Sequence, residues 1–234
     1  MQTNYKDWLI SWDNDGTISD SKPLWDEIHA TTAKHFGLYY ETGLGTKMYL
    51  REAPLVWKQF KSLEEQYKFY MEEYEPMSIA MSKMPEWIDR IQLFPGMKDV
   101  LVKLNKMGLQ MGVVTSSSSI RARAPLTKNG AIYLMKDIVS CEDLKLKDKP
   151  STESIQVLSS NLSIRPDRII HIGDLKYDIQ MAHNFGCFSI GCGYGKYCTP
   201  EQTKAENPTA MVRMVQEIKS IPTIIERLIK HNAR

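Results

Sequence analysis

From residue 97 onward, short apolar runs typical of buried strands alternate with longer segments of helical periodicity. The predicted strands are "WLI" near the start of the chain and then "LQMGVVT", "DIVSCED", "RIIHIGD" and "FSIGCG". The predicted helices cover residues 97–107, 119–129, 151–162, 177–186 and 222–231, where apolar residues recur three and four positions apart. This alternation predicts an α/β fold, in which a Rossmann-like parallel sheet carries helices on both faces.

Residues 22–93 differ from the rest of the chain, because they are rich in Trp, Tyr, Met, Glu and Lys and contain few strand-like runs. The predicted helices here are "KPLWDEIHATTAKHF", "SLEEQYKFYMEEY" and "MSKMPEWIDRI", with Pro76 expected to end the second. About 70 residues suffice for a small domain. The sequence therefore predicts a Rossmann-like core of residues 1–21 and 94–234 and an inserted all-helical domain of residues 22–93.

Polar side chains follow the predicted strands at the points where the strands end. In chain order they are Asp13 and Asp15, then Thr115 and Ser116, then Lys149, and finally Asp174 with Asp178 one helical turn later. The carboxyl ends of parallel strands meet at one edge of a sheet, and ligands bind there. We therefore expect these side chains to share one site.

Paired carboxylates such as Asp13 and Asp15 repel one another unless a cation lies between them or one of them reacts. Carboxylates suit Mg²⁺, which usually keeps several waters and a substrate phosphate. The amides and hydroxyls of "TSSSS" can cradle phosphate oxygens, and Lys149 adds a fixed positive charge. One Asp can attack phosphorus while a second carboxylic acid protonates the leaving oxygen. The pattern is typical of phosphoryl transfer.

Each of these features also has a purely structural explanation. "DNDG" is a common surface-turn composition, and the serines after Thr115 can cap a helix. Lys149 can be an exposed loop lysine, and Asp174 and Asp178 can charge a helix N-terminus. His171, inside an apolar strand, is expected to be a core histidine rather than a catalytic base. A purely structural reading of the sequence requires every one of these explanations to be correct at once. The combination of residues therefore favours a phosphoryl-transfer site.

The segments "DNDGTISDS", "VVTSS", "KDKP" and "IGDLKYD" resemble, in order and spacing, the four motifs of the haloacid dehalogenase superfamily. "FPGM" and "GCGYG" extend the resemblance over nearly the whole chain, and "GCGYG" with the closing segment looks most like the phosphoglycolate phosphatase group. The resemblance implies a magnesium-dependent phosphohydrolase. It implies that Asp13 is the nucleophile and Asp15 the general acid/base. The other implied roles are phosphoryl binding by Thr115, Ser116 and Lys149, Mg²⁺ binding by Asp13, Asp15 and Asp174, and a position beside the metal ligands for Asp178.

The insertion lies between the first two motifs, where this family carries a helical cap. A cap that moves against the core and sets specificity is therefore expected, with Lys47 and Arg51 in the loop of residues 41–52 as candidate substrate contacts. Departures from the commonest family pattern concern specificity more than activity; they are Trp12, Asn14, Cys141 and Asp148.

The charge and hydropathy of the chain limit the classes of partner that the sequence predicts. The formal net charge is +2 and Lys and Arg form no block, so neither a nucleic-acid nor a membrane partner is predicted. No apolar run reaches the ~18 residues of a membrane span, and the N-terminus lacks a signal-peptide pattern, which favours the cytoplasm.

The predicted function is hydrolysis of a small phosphorylated metabolite by a monomer or homodimer that uses Mg²⁺. A sugar phosphomutase of the same architecture is an alternative, because residues outside the motifs decide whether water or a sugar hydroxyl is admitted. A non-catalytic phosphate-binding or scaffold protein is a further alternative, but loss of Asp13 or Asp15 would be its usual mark, and both are present.

Overall fold

The computed structural model describes residues 4–232, so the first three and last two residues of the predicted core lie outside the described part. The chain divides into two compact units, one comprising Met1–Asp20 with Gln92–Arg234 and the other Ser21–Ile91. Within the core unit, Asp20 N–H donates to the carbonyl of Gln92 at 2.9 Å. This pairing explains why Gln92 belongs with the core rather than with the inserted segment.

The core unit contains one six-stranded sheet. Its strands are β1 (Leu9–Trp12), β2 (Gln110–Thr115), β3 (Asp137–Ser140), β4 (Ile169–Gly173), β5 (Phe188–Cys192) and β6 (Ala210–Val212). All neighbours pair in parallel, in the order β3-β2-β1-β4-β5-β6. The predicted parallel α/β fold is confirmed. The strand order reverses at β1, which lies between β2 and β4, and such a reversal is where open α/β sheets bind ligands.

Apolar side chains cover both faces of this sheet. Ile10 and Trp12 belong to one buried cluster, whereas Leu9 belongs to a second cluster. Successive side chains of a strand point to opposite faces, so a strand covered on both sides needs apolar residues at nearly every position. This requirement explains why the buried strands are recognisable as continuous apolar runs.

The inserted unit is helical. Its helices are α1 (Lys22–His35), α2 (Leu44–Tyr49), α3 (Leu63–Phe69), α4 (Glu75–Ser82) and α5 (Pro85–Ile88), with a π-helical turn at Tyr70–Tyr74 between α3 and α4. The expectation that Pro76 ends a helix is wrong. Pro76 lies in the first turn of α4, where a proline is tolerated. The third predicted helix is reduced to the single turn of α5.

The core helices flank the sheet. They are α6 (Met97–Lys106), α7 (Ser119–Lys128), α8 (Cys141–Leu144), α9 (Glu153–Leu162), α10 (Lys176–Phe185), α11 (Pro200–Ala205) and α12 (Ile221–Asn232). Short 3₁₀ turns occur at Tyr5–Asp7, Ile132–Leu134, Pro166–Arg168 and Val215–Ser220. The predicted third strand is too long, because Ser140 Oγ accepts from Asp143 N–H and starts α8 at Cys141. Among residues 4–232, no helix is long and apolar enough to cross a membrane.

Candidate active site

Asp13 and Asp15 follow β1 directly at the carboxyl edge of the sheet. The backbone N–H of Asp13 donates to the carbonyl of Ile172 in β4 at 2.8 Å, so the chain leaves the sheet in a fixed direction. Gly16 then has φ of +86°, and a Cβ at this position would lie 2.4 Å from Asp174 Oδ2. Only glycine fits this turn, which brings the backbone close to the Asp174 carboxylate.

Lys149 lies between two carboxylates. Its Nζ is 2.5 Å from Asp13 Oδ1 and 2.7 Å from Asp178 Oδ1, and all three side chains are nearly buried. Burial alone would lower the pKa of Lys149. The charges of Asp13 and Asp178 outweigh burial and raise that pKa above its usual range. Lys149 therefore supplies a permanent positive charge at this edge of the sheet.

Asp178 has two further partners besides Lys149. Its Oδ1 lies 3.2 Å from His171 Nε2, and its Oδ2 accepts from the backbone N–H of Leu175 at 3.0 Å. His171 Nδ1 lies 3.0 Å from Ser11 Oγ. Burial lowers the pKa of His171, and a neutral ring can donate to Asp178 while accepting from Ser11. His171 thus supports Asp178 from within the core.

The structure offers three buried carboxylates for one cation. One oxygen each from Asp13, Asp174 and Asp178 lies within 4.8 Å of the others. Neither side-chain oxygen of Asp174 has a hydrogen-bond partner among the described residues, although both are buried. Three carboxylates around one ammonium, that of Lys149, leave two negative charges uncompensated. Orphaned oxygens and this charge deficit fit a divalent cation that prefers oxygen ligands.

The pKa shifts of these carboxyl groups are consistent with a divalent cation at this site. Burial raises the pKa of Asp13 to about 7, against the opposing charge of Lys149. Burial, followed by the charge of Asp13, also raises the pKa of Asp174 well above its usual range. Burial acts on Asp178 in the same direction, but Lys149 and His171 outweigh it and hold the pKa of Asp178 below its usual range. The folded chain therefore accommodates its ionised carboxylates poorly unless a further positive charge is supplied.

Asp15 has a different partner from the other carboxylates. Its Oδ1 accepts from Arg121 Nη2 at 3.0 Å, and the Arg121 side chain is only 1% exposed. Arg121 lies in α7 and is 106 residues from Asp15 in the sequence. No short sequence motif can therefore contain both residues. Sequence reasoning missed this residue, because an arginine inside a helix usually lies on a solvated face.

Thr115 and Ser116 lie where β2 ends. Thr115 is buried, and its Oγ1 accepts from the backbone N–H of Ser117 at 3.2 Å. Val113 pairs with Trp12 in the adjacent strand, so Thr115 and Asp13 leave neighbouring strands at the same edge. Ser116 is half-buried.

The predicted loop of residues 41–52 contains α2, so Lys47 lies in a helix and Arg51 lies just after it. Both residues have partners within the helical unit. Lys47 Nζ is 3.3 Å from Glu41 Oε1, and both side chains are about half exposed. The Arg51 guanidinium lies 5.5 Å from the centre of the Tyr67 ring. Their predicted contact with substrate stays a prediction.

A comparison with protein families identifies the chain. The sequence profile described as haloacid dehalogenase-like hydrolase matches residues 10–192, which include both Asp13 and Asp178. The chain belongs to the haloacid dehalogenase-like hydrolase family. The family assignment made from the four motifs is confirmed.

Two relatives in this family are phosphoglycolate phosphatases. That of Salmonella choleraesuis (strain SC-B67) is 35% identical over 103 residues, which are 44% of this chain and 40% of that protein. That of Pasteurella multocida (strain Pm70) is 24% identical over 206 residues, which are 80% of this chain and 86% of that protein. The chain thus spans less than half the length of the first relative.

A solved structure supports the fold. The crystal structure of a predicted phosphoglycolate phosphatase from Haemophilus somnus 129pt has a TM-score of 0.72 to this chain at 22% sequence identity. The alignment covers 93% of this chain and 98% of that protein. At this identity the likeness shows that the two chains share a fold.

Proposed function

We propose that this protein is a magnesium-dependent phosphatase that hydrolyses a small phosphorylated metabolite through an aspartyl phosphate on Asp13. The contact of Lys149 with Asp13 at 2.5 Å carries the proposal, because it couples a buried carboxylate to a permanent cation at a strand end. The phosphoglycolate phosphatases among the relatives support a phosphate monoester as substrate.

We assign the cation site to Asp13 and Asp174, which belong to the group of buried carboxylates. Asp15, the third ligand that the resemblance implies, is not in that group and contacts Arg121, so its ligand role stays a prediction. When bound there, Mg²⁺ would offset the negative charge of the carboxylates and of the substrate phosphoryl group. Asp178 holds Lys149 and accepts from Leu175 and His171, so its role is to orient the lysine beside the ligands.

In the first step, an Asp13 oxygen forms a bond to phosphorus, and the bond from phosphorus to the ester oxygen breaks. The electron pair of that bond goes to the ester oxygen, which takes a proton from Asp15. Lys149, Thr115 and Ser116 would bind the phosphoryl oxygens and stabilise the charge that they carry in the transition state.

In the second step, a water attacks the phosphorus of the aspartyl phosphate and Asp15 accepts a proton from that water. The bond between phosphorus and Asp13 breaks, which releases inorganic phosphate and restores the carboxylate of Asp13. The proton that Asp15 gave in the first step is thereby returned, so the cycle closes.

The proposal is tested by incubating the protein with a panel of phosphorylated metabolites and Mg²⁺ and measuring released phosphate, with 2-phosphoglycolate as the first compound. We expect phosphate from at least one small monoester. Conversion of a phosphosugar into its isomer without phosphate release would instead identify a mutase. Turnover of no compound would favour a phosphate-binding protein over an enzyme.

We further propose that the helical unit sets substrate choice, because the core groups recognise only phosphate and metal, which all substrates share. Lys47→Met and Arg51→Met are expected to change the ranking of substrates by about tenfold, the effect of about 1.4 kcal/mol of differential binding. Relative kcat/KM across the panel measures this change.

Lys68 is a matched control for these substitutions, since it is exposed in α3 of the same unit. Lys68→Met should preserve the ranking. A uniform slowing of all substrates in the Lys47 and Arg51 variants would contradict a specificity role.

A further inference from the structure

Arg121 is a buried arginine outside the segments that resemble family motifs. Its side chain is 1% exposed, whereas Arg123 on the same helix is exposed. An arginine does not lose its proton in proteins, so a buried guanidinium needs an acceptor inside the fold. Arg121 Nη2 donates to Asp15 Oδ1 at 3.0 Å. The contact joins α7 to the carboxylate that we propose as the general acid/base.

The start of α7 is itself anchored. Asp143 of α8 accepts from Ser118 Oγ at 2.8 Å and from the backbone N–H of Ser119 at 3.0 Å. Ser140 Oγ, at the end of β3, accepts from Asp143 N–H at 2.9 Å. These bonds fix the first turn of α7 relative to the sheet, and Arg121 lies in that turn. The guanidinium is therefore a donor with a fixed position.

We propose that Arg121 is a positioning residue, which holds the Asp15 carboxyl where it gives its proton to the leaving oxygen. This inference rests on the proposed phosphatase function. In the step concerned, Asp13 bonds to phosphorus, the bond from phosphorus to the ester oxygen breaks, and that oxygen takes the proton of Asp15. A hydrogen bond from a fixed guanidinium limits the rotation of the carboxyl, and proton transfer depends on such placement.

Two other roles for Arg121 fit the structure less well. A phosphate-binding arginine must reach the substrate, but Arg121 is almost completely buried. An arginine that only stabilised the fold would not need to contact Asp15, whose own side chain is 15% exposed. The contact leads from the interior of the protein to a side chain that is 15% exposed at the carboxyl edge of the sheet.

The test compares two phosphate esters of similar size, p-nitrophenyl phosphate and benzyl phosphate, with Mg²⁺ present. Nitrophenolate leaves without protonation, whereas the benzyl alkoxide needs the proton of a general acid. We measure kcat/KM, which reports the steps up to formation of the aspartyl phosphate. In Arg121→Met we expect about a 100-fold loss for benzyl phosphate and less than about a tenfold loss for p-nitrophenyl phosphate.

Arg123→Met is the matched control, and it should leave kcat/KM for both esters unchanged. A second control combines Arg121→Met with Asp15→Asn. If Arg121 acts through Asp15, the double variant should hydrolyse benzyl phosphate no more slowly than Asp15→Asn alone. A further loss in the double variant would overturn the proposal.

Arg121→Lys covers the case in which Arg121→Met does not fold. It keeps the buried positive charge but replaces the planar guanidinium by an ammonium with different reach. The same selective loss for benzyl phosphate, at a smaller size, is expected at an unchanged melting temperature. Equal losses for both esters, or no loss, would overturn the positioning role while leaving the phosphatase function intact. If the wild-type protein released phosphate neither from these esters nor from any compound of the metabolite panel, the proposed function would fail, and the role of Arg121 with it.

Discussion

Asp13→Asn is expected to reduce phosphate release by about 10⁴-fold or more, since removing the nucleophile of a hydrolase costs this much or more. The amide is a poor nucleophile at phosphorus, and it cannot form the aspartyl phosphate. The effect is measured as kcat for the best substrate of the panel with saturating Mg²⁺. Asn has the shape of Asp, so the packing around Lys149 should be preserved.

The folded state of this variant must be verified, because Asp13 contacts Lys149 in the interior. Asp178 remains as the second partner of Lys149, so the ammonium is not left without a carboxylate. We expect the melting temperature to stay within a few degrees of the wild-type value. Asp167→Asn is the matched control, since Asp167 is exposed and lies before β4, at the opposite end of the strands. Near-normal turnover by Asp13→Asn would exclude the covalent mechanism.

The strands of the core were predictable because each is a buried segment of a parallel sheet. Burial on both faces demands a continuous apolar run, and the polar residue that ends the run is visible in the sequence. β6 was missed, because Ala210–Val212 is only three residues long at a sheet edge and two of them are half-buried. Such a short run cannot be distinguished from a loop without its pairing to β5.

The predicted site residues could be recognised in the sequence, whereas Arg121 could not. Asp13, Asp15 and Asp174 occupy loops just after strands, where a polar residue beside an apolar run is conspicuous. Lys149 lies further from its strand, in the loop that follows α8. Arg121 occupies a helix, where arginine is common and where burial depends on packing that the sequence does not display. Its partner lies 106 residues away, so only the folded structure brings the two charges together.

The prediction with the next largest effect concerns the metal. A chelator such as EDTA should abolish phosphate release, and added Mg²⁺ should restore it, because without a cation the three carboxylates of Asp13, Asp174 and Asp178 have only the ammonium of Lys149 to compensate their charge. The same binding should stabilise the fold. At about 100 times its dissociation constant, a ligand adds about 2.7 kcal/mol, which corresponds to a rise in melting temperature of roughly 5–10 °C for a chain of this size.

The pH dependence of this stabilisation follows from the raised pKa values. In the metal-free folded protein, burial raises the pKa of Asp13 to about 7, whereas an unfolded chain has the ordinary value near 3.8. Between these values the folded state binds a proton that the unfolded state has lost. The contribution of Asp13 to stability is therefore complete below about pH 4, declines as the pH rises and is lost above about pH 7. Asp174, whose pKa is also raised, acts in the same direction. His171, whose pKa is lowered by burial, acts in the opposite direction, but it is one group against two carboxyl groups.

Mg²⁺ binding has the opposite pH dependence, because its ligands must be deprotonated. The melting temperature of the metal-free protein should therefore fall between pH 5 and pH 7.5, and the increase caused by Mg²⁺ should be larger at pH 7.5 than at pH 5. Asp174→Asn should lose most of that increase, while Asp167→Asn should keep it. A Mg²⁺-induced increase that is equal at both pH values, or that survives in Asp174→Asn, would show that the cation binds elsewhere. Since Asp174 has two buried oxygens without partners among the described residues, we expect the increase to depend on this carboxylate.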